Sequence, residues 1–294
     1  MIDWLIFNAG VAEVTSLNWI TLTHQIITDP VLFCTVPNYL TERVGSMSED
    51  GIGYIFQANV FGHYYIVSLP STVLIEQLKR LASLLTERSK VVWSVSLETA
   101  LAFIYDPNDP TGIRTHHAYG SSKRFIELLH CYLATHPRTP MYFITHPGIT
   151  DSGVVSPYQF PIREAIQHLK KVAFYVARWW GSPWHSISGY NGACSVVYSA
   201  VKAGREDEMI KWGSSSDRWG RERLLGTTLE GEAELWKEES RAAFELVERM
   251  YQEQIFRLNV SKHSQVLTET ASETVRSINY TTSRRNTTDL IEAE

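Results

Sequence analysis

Lys90-Val91-Val92-Trp93-Ser94-Val95-Ser96 is a short hydrophobic run that ends in hydroxyls, and two other stretches of the chain share its character. Ile2 to Phe7 closes on the turn signal Asn8-Ala9-Gly10, and Met141 to Thr145 runs into His146-Pro147-Gly148. Apolar runs of this length, bounded by turn residues, read as strands buried on both faces, the condition of a parallel sheet. A helical pattern covers 118–134 between the second and third runs. A longer one extends from about Asp50 to Glu87, interrupted near Pro70. Short strands alternating with helices predict an α/β chain built on a doubly wound parallel sheet.

Working outward, residues 11–49 are long, polar and irregular apart from short apolar patches, and read as an insertion in a domain spanning 1–255. Helices are predicted near 162–180, 189–203 and 231–254, with a strand at Met209–Trp212. Residues 256–294 turn to Ser, Thr, Asn and charge, which predicts a flexible polar tail. There is no internal repeat.

The bulk numbers narrow the function classes. A chain of 294 residues can bury one large core. A net charge of −5 without a basic run argues against a nucleic-acid partner. Cys34, Cys131 and Cys194 are few, scattered and odd in number, which fits reduced thiols on the cytosolic side. The sequons at Asn259, Asn279 and Asn286 therefore carry little weight. No run approaches the roughly 18 apolar residues of a spanning helix, and Met1 to Phe7 is too short and lacks the basic flank of a signal peptide. The expectation is a soluble or peripherally attached protein. No residue is assigned to a metal.

Tyr119-Gly120-Ser121-Ser122-Lys123 sets a phenol and an ammonium four residues apart, on one face of the predicted helix. A nearby ammonium favours the phenolate, so the phenol becomes a usable acid or base nearer neutrality. The spacing alone is weak, because Tyr198 and Lys202 repeat it elsewhere. Ser96 lies beyond a strand end, where ligands of open α/β sheets sit; serines that merely begin a loop explain it as well. Asn59, in Phe56-Gln57-Ala58-Asn59-Val60-Phe61-Gly62-His63-Tyr64, sits mid-helix at a cost in propensity, so it either has a polar task or is simply packed or solvent-facing. Pro147-Gly148-Ile149-Thr150 follows a strand and either lets backbone approach a ligand or simply turns the chain.

Their order is more telling than any one of them. Asn-Ala-Gly, a helical Asn, a strand-end Ser, Tyr-x-x-x-Lys and Pro-Gly resemble the short-chain dehydrogenase/reductase superfamily over residues 2 to about 200. Glu49-Asp50-Gly51 through Tyr64, Trp93, the wide gap from Ser96 to Tyr119, Tyr190-Asn191-Gly192, Ile210-Lys211-Trp212 and Trp219-Gly220-Arg221 look like one branch of it. That branch is the 3-keto-steroid reductases of sterol biosynthesis and their 17-beta-hydroxysteroid dehydrogenase type 7-like counterparts. The resemblance implies a Rossmann-like fold and a catalytic tetrad of Asn59, Ser96, Tyr119 and Lys123. It implies NADPH, with Asn8, Ala9 and Gly10 on the adenine–ribose side and Pro147, Gly148 and Thr150 on the nicotinamide side, beside Tyr119 and Lys123. The implied substrate is the C3 ketone of a 4-demethylated sterol intermediate. The implied location is the cytosolic face of the endoplasmic reticulum or lipid droplet, beside other sterol-biosynthesis enzymes. Lys170, Lys171, Arg178, Trp179, Trp180 and Trp184 would suit a membrane interface, or else a core-packing helix.

One implied part is missing. The superfamily's Thr-Gly-x-x-x-Gly-x-Gly phosphate loop belongs about 80 residues before Asn-Ala-Gly, yet only seven residues precede Asn8. The expectation is therefore a Rossmann-like sheet lacking its first βαβαβ portion, with Ile2–Phe7 as an exposed edge. That leaves an N-terminally truncated reductase, an inactive pseudo-reductase acting as an interaction protein, or a related reductase of triterpenoid or secondary metabolism.

Overall fold

Three runs of alternating inward-facing residues set the architecture. The computed structural model describes residues 1–29, 33, 35, 39–67, 84–100, 105–135, 140–151, 163–229 and 235–257. In chain order the strands are β1 (Trp4–Phe7), β2 (Val14–Leu17), β3 (Leu40–Glu42), β4 (Lys90–Ser94), β5 (Met141–His146), β6 (Ile210–Ser216) and β7 (Glu222–Thr228). The main sheet runs β1-β4-β5-β6-β7, parallel except for the antiparallel β6–β7 pair. Phe7, Trp93 and Ile144 stand in register across three strands, as do Ile6, Val92 and Phe143.

Successive strand residues point to opposite faces, so each register row chooses a side. Phe7, Val91, Trp93 and Ile144 pack against α2 (54–67), α3 (Ala118–Thr135) and a C-terminal helix over 237–257, through Phe56, Val60, Phe125, Leu129, Val247 and Tyr251. Val92 and Phe143 face the other way, against Ala203 and the partly buried Val196 and Tyr198. Helices thus cover both faces of a mostly parallel sheet, as the α/β, Rossmann-like expectation requires. β1 borders the described sheet, with Trp4 and Ile6 exposed.

Several boundaries differ from expectation for physical reasons. Residues 11–49 are not irregular throughout: β2 and β3 pair antiparallel, and α1 (Trp19–Thr28) follows β2 from a cap in which the Asn18 side chain accepts from the Thr21 amide. The helix expected from Asp50 begins at Tyr54, after a turn over 49–52, and loosens into a π-turn at Gln57–Phe61. The helix expected over 189–203 is two pieces, Gly189–Gly192 and Cys194–Val201. The Ser214 hydroxyl wedges between them, donating to the Gly192 carbonyl at 2.8 Å and accepting from the Ser195 amide at 2.9 Å. β7 was not foreseen, because its side chains are mostly exposed and Glu-Arg-Leu-Leu-Gly-Thr-Thr has no alternation to read. The break near Pro70 and nearly all of the 256–294 tail lie outside the described residues.

The turn after β5 is tightly constrained. Gly148 sits at φ 66°, and a β-carbon there would lie 2.5 Å from the Trp184 carbonyl oxygen and 2.6 Å from that of Ser214. Left-handed geometry and collision with two backbone carbonyls penalise any side chain. Gly148→Ala is expected to destabilise the protein by about 2 kcal/mol or more, measured by urea unfolding; a midpoint equal to wild type would show that the turn relaxes freely.

Candidate active site

β1, β4 and β5 are adjacent and parallel, so their carboxyl ends open on one edge of the sheet. Asn8–Gly10, Val95–Ser96 and Pro147–Thr150 follow those three ends, where ligands of open α/β sheets bind. α2 and α3 pack across the same region and deliver Asn59, Tyr119 and Lys123 to it.

Asn59 is fully buried and satisfied on both ends of its amide. Its oxygen accepts from the Val11 amide at 2.8 Å, and its nitrogen donates to the Val11 carbonyl and the Ser122 hydroxyl, each at 3.0 Å. The π-turn aims it inward, a use to which such turns are often put. Asn59 thereby pins the segment after β1 to α3. A β-carbon on Gly10 would come 3.3 Å from the Asn59 amide oxygen and 3.5 Å from Lys123 Nζ. Gly10, Asn59 and Lys123 are therefore immediate neighbours around a cradle that a side chain would fill.

Lys123 is 3% exposed and donates from Nζ to the Ser94 carbonyl at 2.8 Å. Burial lowers its pKa to about 8, partly opposed by the Glu98 carboxylate. Its Nζ lies 5.5 Å from the Tyr119 ring centroid, so the two side chains meet as the four-residue spacing requires. Tyr119 does not follow the simple sequence argument. Burial raises its pKa, as do the Glu98 and Glu42 carboxylates, while a hydrogen bond with the Ser96 side chain works in the opposite direction. Desolvation of the phenolate is the largest cause, so the site holds the phenol protonated.

Ser96, rather than Ser94, offers its side chain to Tyr119; the contribution of Ser94 is a backbone carbonyl to Lys123. Asn8 and Ala9 are exposed beside this cluster. Pro147, Gly148 and Thr150 share the sheet edge, but the contacts that hold them run to the 184–192 segment. Ser186 donates to the Pro147 carbonyl at 2.7 Å, Thr150 bridges to Ile187, and the Thr150 methyl fills the space over Gly192. The second Tyr-x-x-x-Lys pair is remote: Tyr198 packs against Trp212, on the Val92–Phe143 face of the sheet, and Lys202 is exposed.

Other groups at the site were not foreseen. Glu127 continues the Tyr119–Lys123 face one turn further and is buried. It accepts from Lys211 Nζ at 2.6 Å, Thr99 at 2.7 Å and Arg124 at 2.8 Å. Its spacing was a readable signal; its partners were not. Thr99 Oγ1 also lies 2.8 Å from the Ser96 carbonyl, which ties the Ser96 turn to β6 through Lys211. His63 stacks on Phe7 at 4.6 Å, and burial with the Lys123 charge lowers it to about 4, so it is neutral at pH 7. Burial raises Glu98 to about 7 despite Lys123.

No protein-family model matches the chain. Among curated proteins it is 32% identical over 255 residues to the 3-keto-steroid reductase of Schizosaccharomyces pombe, covering 86% of this chain and 70% of that protein. It is 36% identical over 228 residues to the 3-keto-steroid reductase of Eremothecium gossypii and 33% identical over 225 residues to that of Saccharomyces cerevisiae. These matches take in 75% and 74% of this chain and 61% and 60% of the relatives, so the chain spans about three fifths of their length.

The depressed Lys123 value has a measurable consequence. Between pH 8 and 10.5 the unfolded state holds the lysine proton more firmly than the folded state, so stability rises with pH across that window. Lys123→Met is expected to remove a rise of about 2 kcal/mol between pH 7.5 and pH 10, measured by urea unfolding at those two values. Parallel pH dependences in the two proteins would mean that Lys123 is well solvated.

Proposed function

Because this chain belongs to the 3-keto-steroid reductase family, we propose that it is an NADPH-dependent reductase of the short-chain dehydrogenase type, converting the C3 ketone of a 4-demethylated sterol intermediate to the 3-beta-alcohol. The observation that carries this reading is the convergence of Tyr119, Lys123, Asn59 and Ser96 at the Gly10 turn. Neither α2, α3 nor the β4 end holds all of these groups.

The cradle at Gly10 fits the ribose end of a nicotinamide cofactor. Backbone can approach closely there, and Lys123 offers a buried ammonium to ribose hydroxyls. A bound nicotinamide supplies the hydride. The chain's own groups do the rest. Ser96 donates to the ketone oxygen and stabilises charge as it develops. Tyr119 delivers its proton to that oxygen. Its raised pKa keeps the phenol protonated in the resting site, and the Lys123 ammonium favours the phenolate as the proton leaves. Asn59 orders the Val11 segment and Ser122, and so holds the Gly10 turn beside Lys123. Gly10, with Asn8 and Ala9 beside it, and Pro147, Gly148 and Thr150 form the two flanks of the cofactor groove.

A membrane surface is the other partner in this reading. α4 (Arg163–Trp179) presents Val172, Tyr175, Val176 and Trp179 on one face, all exposed, and Trp180 follows. The β6–β7 turn abuts the end of α4: a β-carbon on Gly220 would lie 2.9 Å from Arg178, and one on Gly181 3.5 Å from Arg218. That places the exposed Trp219 close to the same patch. Exposed tryptophans with arginines and Lys171 suit the boundary between anionic headgroups and acyl chains. No described helix is long and apolar enough to cross a membrane. The proposed location is the cytosolic face of the endoplasmic reticulum or lipid droplet, beside other enzymes of sterol synthesis.

Tyr119→Phe should lower NADPH oxidation with a 3-keto sterol by at least about a thousandfold while leaving the circular dichroism spectrum unchanged. Wild-type rates in that variant would remove the assigned role. The wild-type chain should float with anionic liposomes, and Trp179→Ala combined with Trp180→Ala should release it. Absence of flotation, or equal flotation by both proteins, would dismiss the membrane surface.

A further inference from the structure

An α-helix leaves its first amides unpaired, and they are usually met by a short polar side chain at the cap position. α3 begins at Ala118, so that position falls to His117, which is not one of the residue types that cap well. The acceptor comes instead from 77 residues away in sequence. Glu42, on β3, accepts from the Tyr119 amide with a carboxylate oxygen at 2.7 Å, and its carboxylate is also bonded to the Ala118 amide.

The carboxylate is held in place by its own backbone. The Glu42 amide donates to the His116 carbonyl at 3.0 Å, and the Glu42 carbonyl lies 3.1 Å from His116 Nδ1. Glu42 is 7% exposed and pairs with Val14 of β2 through the sheet ladder. Two further ties keep the β2–β3 pair on the site: the Gly45 amide donates to the Ile113 carbonyl at 2.7 Å, and Val11 is bound by Asn59. The 11–49 segment is thus stitched to α2 at one end and to the start of α3 at the other.

We propose that Glu42 is a positioning residue for the reaction, its carboxylate capping α3 at Tyr119 and so fixing where the phenol points. The β2–β3 pair is then part of the catalytic scaffold. Tyr119 is in the first turn, the part of a helix that frays most readily. Its phenol must meet Ser96 and a ketone oxygen within hydrogen-bonding reach, so a loosened first turn is felt in the chemical step. Burial raises the Glu42 carboxyl to about 7 against the pull of the helix amides, so the cap rests on its acceptor oxygen and does not depend on a full negative charge.

The turnover arm rests on the proposed reductase function; the exchange arm does not. Glu42→Met fills the space without an acceptor, and Glu42→Gln keeps one. In the full chain, Glu42→Met should speed hydrogen exchange at the Tyr119 amide at least about tenfold while Leu128 and Leu129, deep in the same helix, stay protected. With NADPH and a 3-keto sterol it should lower kcat at least about tenfold at little-changed KM. Glu42→Gln should restore both readings. Should Glu42→Met fail to fold, Glu42→Asp, which withdraws the carboxylate by one methylene, makes the same comparison. Wild-type exchange and turnover in the Met or Asp variant would overturn the proposal, and so would failure of Gln to rescue. If the wild-type chain turns over no sterol ketone, the reductase reading fails, and exchange at Tyr119 alone decides the cap.

Discussion

A single buried ammonium organises the centre of this molecule. Lys123 lies in the interior with its Nζ on the Ser94 carbonyl, against Gly10 and beneath the Tyr119 ring. A charge in such a place is costly unless polar groups meet it. β4 supplies a carbonyl, and Glu98 supplies an opposing charge that is itself partly neutralised by burial. Gly10 lies against the same groups: a β-carbon there would come 3.3 Å from the Asn59 amide oxygen and 3.5 Å from Nζ, so any longer side chain would crowd them.

Around that ammonium the polar groups divide into two sets. Asn59, Ser122 and Val11 tie the β1 turn to α3, whereas Glu127, Lys211 and Thr99 tie the Ser96 turn to β6. Both sets meet on α3, whose residues 119, 123 and 127 share one face. A buried ion pair such as Glu127–Lys211 adds little net stability, because desolvation offsets its attraction. Its contribution here is geometric: it holds a loop that a hydrophobic contact would leave free to slide.

The apolar exterior of α4 stands apart from this core. Val172, Tyr175, Val176 and Trp179 recur at helical spacing yet face outward, together with Trp180 and Trp219. Exposed apolar surface on that scale normally marks an interaction site. Arg178, on the same helix, is placed where an interfacial helix carries its cations.

Much of this was legible in the linear chain. The runs at 90–95 and 141–145 announced parallel strands because residues buried on both faces leave no polar alternation; the equally apolar run at 2–7 announced one too, although its Trp4 and Ile6 are exposed at the border of the described sheet. The i, i+4 spacing of Tyr119 and Lys123 fixed their shared helix face without any fold in hand. Ser96 and Asn59 were readable only through their order along the chain. What the chain could not disclose depends on distance in sequence. Glu42 meets Tyr119, and Lys211 meets Glu127, only once β3 and β6 are laid beside α3, because no local pattern encodes a partner some 80 residues away. The protonation of the site was equally hidden: spacing promises a more acidic tyrosine, but burial, which exists only in the folded protein, raises it instead.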